Sequence, residues 1–569
     1  MIRRTELDRA VALVQRSGVH RDLEARLRPD GAGGRPRALR VDVFLAAVIL
    51  AAGAKKNLAL TNVHALLTTD IARSAQVHYG IRWTGPTGEG HCLTLRQVRY
   101  LLEAIESKLA HTAGRAPTLS DIDRTERADA LQHILDELLA ATMPTHLPPA
   151  QRFALDATAL ESWGRGKRRT STDTNAETAD PVLTCDPVTG EVTDADLSGL
   201  ALDAGAAFDP DAHWGYRTRT YDNKTTMCFG YDVFAVTRMP DVGGKAMTGP
   251  MLTERLVVTA ASTDVVAPAL GILDRLSDCG RAVLEVAADR AWSYKLPDRW
   301  ADELRARDIE AVLDLHPNDH GVRDFDGIRM VAGTPHCPAM PDRLIDIRRP
   351  AQLSVGPARP NMSAAKRAER DLRQAELDAF AAQIAMRETW AFRRVTGPDA
   401  TGKERWECPA QAGKRVCYNC PLSQLFPAGT PEVESPPELA TAPQCCTQRT
   451  VTIPGHVTAK IRQRLYWGSP AWIASFSRRT YIEGIFGNWK SPKTENVRRG
   501  WTFVTGIVKT SLMVACVTVA ANLRLLRKWA TRVGDHTDPL TTLDPEHPGF
   551  EELTQDTGAT GILGPPTED

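Results

Sequence analysis

A proline-rich stretch, MPTHLPPAQ from Met143, separates two regimes of hydrophobic periodicity in this chain. Proline lacks a backbone donor and breaks helices, so no regular element is expected to run through this stretch. Before it, apolar residues recur at helical spacing. Leu95, Val98, Leu101, Leu102, Ile105 and Leu109 fall on one helix face. Thr94 and Gln97 have the spacing of a capping box at its start. Val43 to Ala54 and Ala128 to Leu139 read as further buried or amphipathic helices. Residues 1–148 are therefore expected to form an all-helical N-terminal domain.

After the proline-rich stretch the pattern becomes that of strands. Arg152 to Ala159 (RFALDATA) is a short apolar run holding one acid, Asp156. Met227 to Thr237 and Arg255 to Ala261 read as the next two strands, close enough in sequence to be hairpin neighbours. Arg281 to Ala288 is a fourth and ends directly at Asp289. The helix-like Asp298 to Arg307 leads into a fifth, Ile309 to Leu315. Strands that begin as hairpin neighbours and then alternate with helices predict an α/β class with a mixed sheet over 149–319.

Residues 320–470 interrupt this pattern with a charged helix, Ser363 to Glu388, and then a cysteine-rich segment. Residues 471–532 return to helical patterning, with a long apolar run from Phe503 to Trp529. From residue 533 onward the chain is rich in Pro, Asp, Glu, Thr and Gly, a composition expected to be disordered. At 569 residues the chain is too long for a single core. Its 42% hydrophobic and 25% charged content are those of a soluble globular protein. Val43 to Ala52 is too short to span a bilayer, and Ile507 to Leu526 is interrupted by Lys509 and Arg524. The opening residues, MIRRTELDRAVALVQ, lack the continuous apolar segment of a signal peptide, so a cytoplasmic location is expected.

The net charge of +0 hides an asymmetry. The last 37 residues carry nine acids and no Lys or Arg, leaving the body with 70 basic against 61 acidic residues. A basic body with an acidic tail is compatible with a nucleic-acid partner.

Asp156 inside one apolar strand and Asp289 at the end of another are costly to bury unless paired or bound to a cation. A third acid, Glu483, lies in FSRRTYIEGIFGNWK, which has the spacing Phe476-x2-Arg479-x3-Glu483-x6-Lys490. On one continuous helix these four side chains would fall within an arc of roughly 60°. Such a face either brings a carboxylate and two cations to a phosphate and a metal ion, or is a surface face with an Arg479–Glu483 pair. Three hard carboxylates suit Mg²⁺ or Mn²⁺.

Eleven cysteines at this expected location are not a disulfide framework. Six of them, Cys337, Cys408, Cys417, Cys420, Cys445 and Cys446, lie within 110 residues. Cys417-x2-Cys420 has the spacing of a zinc knuckle. Cys408 with Cys445 or Cys446 would complete four zinc ligands, and His336-Cys337 offers another donor. The alternative is a set of free thiols.

The order Asp156, Asp289, Glu483 resembles the DDE triad of cut-and-paste bacterial insertion-sequence transposases. The spaced helix resembles their Tyr-x2-Arg-x3-Glu-x6-Lys signature, with Phe476 in place of Tyr. Asp289-Arg290-Ala291-Trp292 is similar to the family's Asp-Arg-Gly-Tyr turn, and Lys224 to Tyr231 (KTTMCFGY) to its second-strand segment. The resemblance spans roughly residues 150 to 530 and implies a ribonuclease-H-like core. It further implies that Asp156, Asp289 and Glu483 ligate two Mg²⁺ ions for hydrolysis and strand transfer at terminal inverted repeats. Relatives with this signature often pass through a hairpin intermediate. Arg479 and Lys490 would hold flanking phosphates. Phe476 or Trp292 would either stack on a displaced base or pack in the core. Arg165, Lys167, Arg168 and Arg169, and Lys493, Arg498 and Arg499 after the signature, would grip the DNA backbone or be solvated loop charge. Under this resemblance, residues 1–148 would bind DNA ends or dimerise. The partners would be the element's own ends and target DNA, engaged by a homodimer at the bacterial nucleoid. The rival expectation is a catalytically silent DNA-binding descendant of a transposase.

Overall fold

A computed structural model describes residues 4–28, 37–85, 87–144, 148–164, 166, 208–218, 225–240, 242–243, 246–356, 358–399, 401–422 and 428–533. These form two compact units. The first combines the described residues up to 166, 208–283 and 481–533, and the second comprises 284–480. Arg165, Lys167, Arg168, Arg169 and Lys224 lie outside the described residues, as does the tail beyond Val533.

The first unit opens with helices α1 (Arg4–Arg16), α2 (Val19–Arg26), α3 (Val41–Gly53), α4 (Leu60–Ala65) and α5 (Arg73–His78). A small hairpin, β1 (Arg82–Thr84) with β2 (Gly90–Cys92), precedes α6 (Leu95–Leu109) and α7 (Asp121–Ala140). Helix α3 reads VDVFLAAVILAAG, apolar nearly all round, and is accordingly buried along almost its whole length. The capping box at α6 is formed. The Gln97 amide donates to Thr94 Oγ1 at 3.3 Å, and the Thr94 amide to Gln97 Oε1 at 2.8 Å.

The sheet of this unit is built on one long strand. After β3 (Arg152–Glu161) and β4 (His213–Thr218) comes β5 (Thr225–Arg238). The minor hairpin β6 (Val242–Gly243) with β7 (Ala246–Met247) leads to β8 (Thr253–Ala260) and helix α8 (Val266–Asp278). β3 lies antiparallel along one edge of β5, from Phe153 opposite Arg238 to Glu161 opposite Gly230. β4 and β8 share the other edge in succession, β4 beside residues 225–230 and β8 beside 231–237. Gly230 therefore faces Glu161 on one side and His213 on the other. A Cβ at Gly230 would meet the Leu160 carbonyl oxygen at 2.1 Å, so the close approach of β3 requires glycine.

The second unit begins with β9 (Glu285–Ala288), followed by a 3₁₀ turn, Arg290–Tyr294. Helix α9 (Asp302–Ala306) connects β9 to its parallel partner β10 (Glu310–Val312). Then come a three-stranded antiparallel sheet, β11 (Val322–Phe325), β12 (Ile328–Val331) and β13 (Thr334–His336), and the charged helix α10 (Ala364–Glu388). A second three-stranded sheet follows, β14 (Arg393–Thr396), β15 (Glu404–Glu407) and β16 (Val451–Ile453). Helix α11 (Pro470–Ser477) ends the unit on an aromatic core. Trp472 stacks on Phe476 at 4.6 Å and lies 5.6 Å from Trp467.

The chain then returns to the first unit through α12 (Thr480–Lys490) and α13 (Ile507–Val533). Residues 507–532 are long and apolar enough to cross a membrane by length and composition, yet the segment is largely buried against α3, α7 and β8. Buried polar groups fix its position. Asn522 donates to Thr142 Oγ1 at 2.8 Å and the Thr253 carbonyl at 2.9 Å, and accepts from the Thr253 amide at 3.0 Å. At the start of α13, Asp209 and Asp211 accept from the Gly506 and Ile507 amides at 3.0 and 2.9 Å. Carboxylates there complement the positive end of the helix. The protein is thus a mixed α/β molecule.

Candidate functional site

In the first unit, β3 carries Asp156 and Thr158 two residues apart, hence on the same side of the strand. Asp156 is half-buried, and one of its oxygens accepts from the Ala157 amide at 2.8 Å. Thr158 is buried and accepts from Lys490 Nζ at 2.6 Å. Lys490 closes α12, whose buried residues Ile482, Ile485, Phe486 and Trp489 face the interior. Glu483 and Lys490 stand seven residues apart on the opposite, exposed stripe, about 20° from each other. The Lys490–Thr158 bond therefore ties the C-terminal end of α12 to the side of β3 that carries Asp156. Thr158 also lines a small apolar cavity with Leu160, Val233, Trp489, Lys490 and Trp501. After α12, Lys493, Arg498 and Arg499 are exposed, and Arg498 Nε donates to the Lys490 carbonyl at 2.7 Å.

The spaced stretch departs from the expected single helix. Phe476 to Lys490 is not a single helix: α11 ends at Ser477 and α12 begins at Thr480. Between them the amides of Arg478 and Arg479 bond three residues back, to Ser475 and Phe476, both at 3.0 Å. The Thr480 hydroxyl donates to the Ser477 carbonyl at 2.7 Å. These bonds replace the helical ladder, so the shared arc holds for Glu483 and Lys490 and does not extend to Phe476 and Arg479.

The second unit carries the remaining residues. Asp289 follows β9 and caps the 3₁₀ turn, accepting from the Ala291 amide at 2.9 Å. Four residues earlier, buried Glu285 accepts from Ser475 Oγ and is paired with Arg478 and Arg464, each at 3.7 Å. The part-exposed Arg478 thus pairs with the buried Glu285, a contact that the spacing of the signature gave no reason to single out. Arg479 lies over the Phe476 ring at 5.2 Å. Phe476 is buried on Trp472, and Trp292 is buried 4.4 Å from Trp300. Of the two expectations for these rings, core packing is the one the structure shows.

His336 and the cysteines also belong to the second unit. His336 Nδ1 donates to the Thr334 carbonyl at 2.9 Å, and Nε2 accepts from Tyr466 Oη at 2.8 Å. Arg387 Nε donates to the same hydroxyl at 2.9 Å. Burial, followed by the Arg387 charge, pushes His336 down to about 3. Both ring nitrogens are engaged, so His336 does not serve as a metal donor in this arrangement. Cys337, Cys408, Cys417, Cys420 and Cys446 line one cavity. Cys445, named with Cys408, Cys417 and Cys420 as a zinc ligand, is buried outside that lining. On the turn Gln444–Cys446 it is Cys446 that reaches the cavity.

Among the described residues, no three His, Cys, Asp or Glu side chains are grouped so as to hold a metal ion as they stand. Asp156 and Glu483 belong to the first unit and Asp289 to the second. Comparison of the chain with protein-family models, with curated proteins and with solved structures finds no match.

Proposed function

We propose that this protein is a DDE-type DNA transposase with a ribonuclease-H-like core, cutting and joining the terminal inverted repeats of its own insertion sequence. The single observation that supports the reading beyond sequence resemblance is the Lys490–Thr158 bond, which ties the helix carrying Glu483 to the strand carrying Asp156. In this reading residues 1–148 bind DNA ends or dimerise, and a homodimer holds both ends at the bacterial nucleoid.

Asp156, Asp289 and Glu483 are proposed as the donors for Mg²⁺ or Mn²⁺, because carboxylate oxygens are the hard ligands these ions take. Bound ions would supply Lewis-acid activation of the attacking water or 3′-hydroxyl and stabilisation of the leaving oxygen. The chain's own residues do the positioning. Lys490, steadied by Thr158, offers a point charge to a phosphate beside the scissile bond. Arg479 offers a planar fork to a second phosphate. Lys493, Arg498 and Arg499 hold the backbone without reading sequence.

The test is cleavage by purified protein, with Mg²⁺ and separately with Mn²⁺, on labelled DNA carrying the repeats that flank the gene. Wild type is expected to cut at the repeat boundary, and Asp156→Asn to fall to background. Binding without cleavage by both proteins, with either metal, would establish instead a silent DNA-binding descendant.

A further inference from the structure

The transposase reading gives the cysteines of the second unit no task, yet five of them meet around one cavity. Cys337 follows β13, Cys408 follows β15, Cys417 and Cys420 share a turn, and Cys446 ends a one-turn helix. Two of these segments fold back on a cysteine carbonyl: the Cys420 amide bonds the Cys417 carbonyl at 3.1 Å, and the Ala412 amide bonds the Cys408 carbonyl at 2.9 Å.

Cys408, Cys417, Cys420 and Cys446 bring four sulfurs to the wall of this one cavity, the donor set that soft thiolate sites offer a cation.

We infer that Cys408, Cys417, Cys420 and Cys446 hold a structural zinc ion. Thiolates select Zn²⁺ over hard cations and close a tetrahedral shell at about 2.3 Å. Ligation releases the thiol protons to solvent and moves no electrons. It draws the sulfurs in from the cavity wall. Cys337 lines the same cavity and is left outside the four-ligand shell. The ion staples a long connection: between β15 and β16 the described residues include only one helical turn and an isolated bridge, Val416 to Glu432. Binding energy of this kind is folding energy.

The test is zinc content of the purified full chain, measured by mass spectrometry of the metal, with wild type beside Cys417→Ser, Cys420→Ser and the exposed-cysteine control Cys279→Ser. A stoichiometric zinc in wild type and Cys279→Ser, lost from the other two, is the expected result. Cobalt exchanged into wild type should show thiolate charge-transfer bands and tetrahedral d–d bands, which does not depend on any variant folding. Wild type that takes up no zinc, zinc kept in full by both Cys417→Ser and Cys420→Ser, or an intact mass showing a disulfide among these residues would each overturn the assignment.

Discussion

The ammonium of Lys490 donates to the hydroxyl of Thr158 at 2.6 Å. A hydrogen bond to a charged group contributes roughly 1.5–3 kcal/mol. Thr158→Val keeps the shape and the β-branch and removes the acceptor. It is expected to slow strand cleavage by about tenfold or more while leaving DNA affinity close to wild type, and Thr158→Ser should restore most of the rate. Single-turnover cleavage beside equilibrium binding checks this, and a wild-type rate in Thr158→Val would count against the positioning role. Sequence alone singled out Asp156 because a lone acid stood in an apolar run. It could not single out Thr158, whose role depends on where α12 lands on β3. Nor does sequence separate Asp156 from Asp209, which is spent on Ser162, Tyr231 and the start of α13. Such a difference lies in long-range partners, which periodicity does not carry.

Elements were legible where one local pattern decides them. The capping box fixed the start of α6, and apolar runs bounded by turn residues marked β3, β5, β8 and β9 close to where they lie. The charged helix expected from Ser363 to Glu388 is α10, with Ser363 as its N-cap. The break between α11 and α12 was not legible, because FSRRTYIEG contains no proline and its only glycine lies inside α12; hydrogen bonds at Ser477 and Thr480 make the interruption. In the second unit, the chain Arg387–Tyr466–His336–Thr334 joins α10, the segment before α11, and β13. His336 titrates near 6.5 when unfolded and near 3 when folded. Between those values the unfolded chain binds a proton that the folded chain refuses. Stability should therefore be full above about pH 6.5 and fall as pH drops towards 3, by up to about 1.4 kcal/mol per pH unit. Denaturant titrations across that range should show His336→Gln with a shallower decline than wild type. Identical slopes would mean that His336 is not the group responsible.

At the scale of the whole molecule, the chain threads two units: the first holds Asp156, Glu483 and Lys490, and the second holds Asp289 and the cysteine cluster. Alternating strands and helices made the mixed α/β class readable. The division itself was not, because the boundary at 480/481 falls inside the signature, between residues whose spacing suggested one helix. The central functional claim is that Glu483 serves chemistry and not the grip on DNA. Glu483→Gln keeps the size and hydrogen-bonding capacity of the side chain and removes its charge. The measurement that tests the claim most directly is binding and cleavage by Glu483→Gln on the same labelled repeat DNA, at one stated salt concentration. Binding within a few-fold of wild type with cleavage lost is the predicted result. Cleavage at the wild-type rate would contradict the assignment of Glu483, and with it the reading of this chain as a DDE transposase.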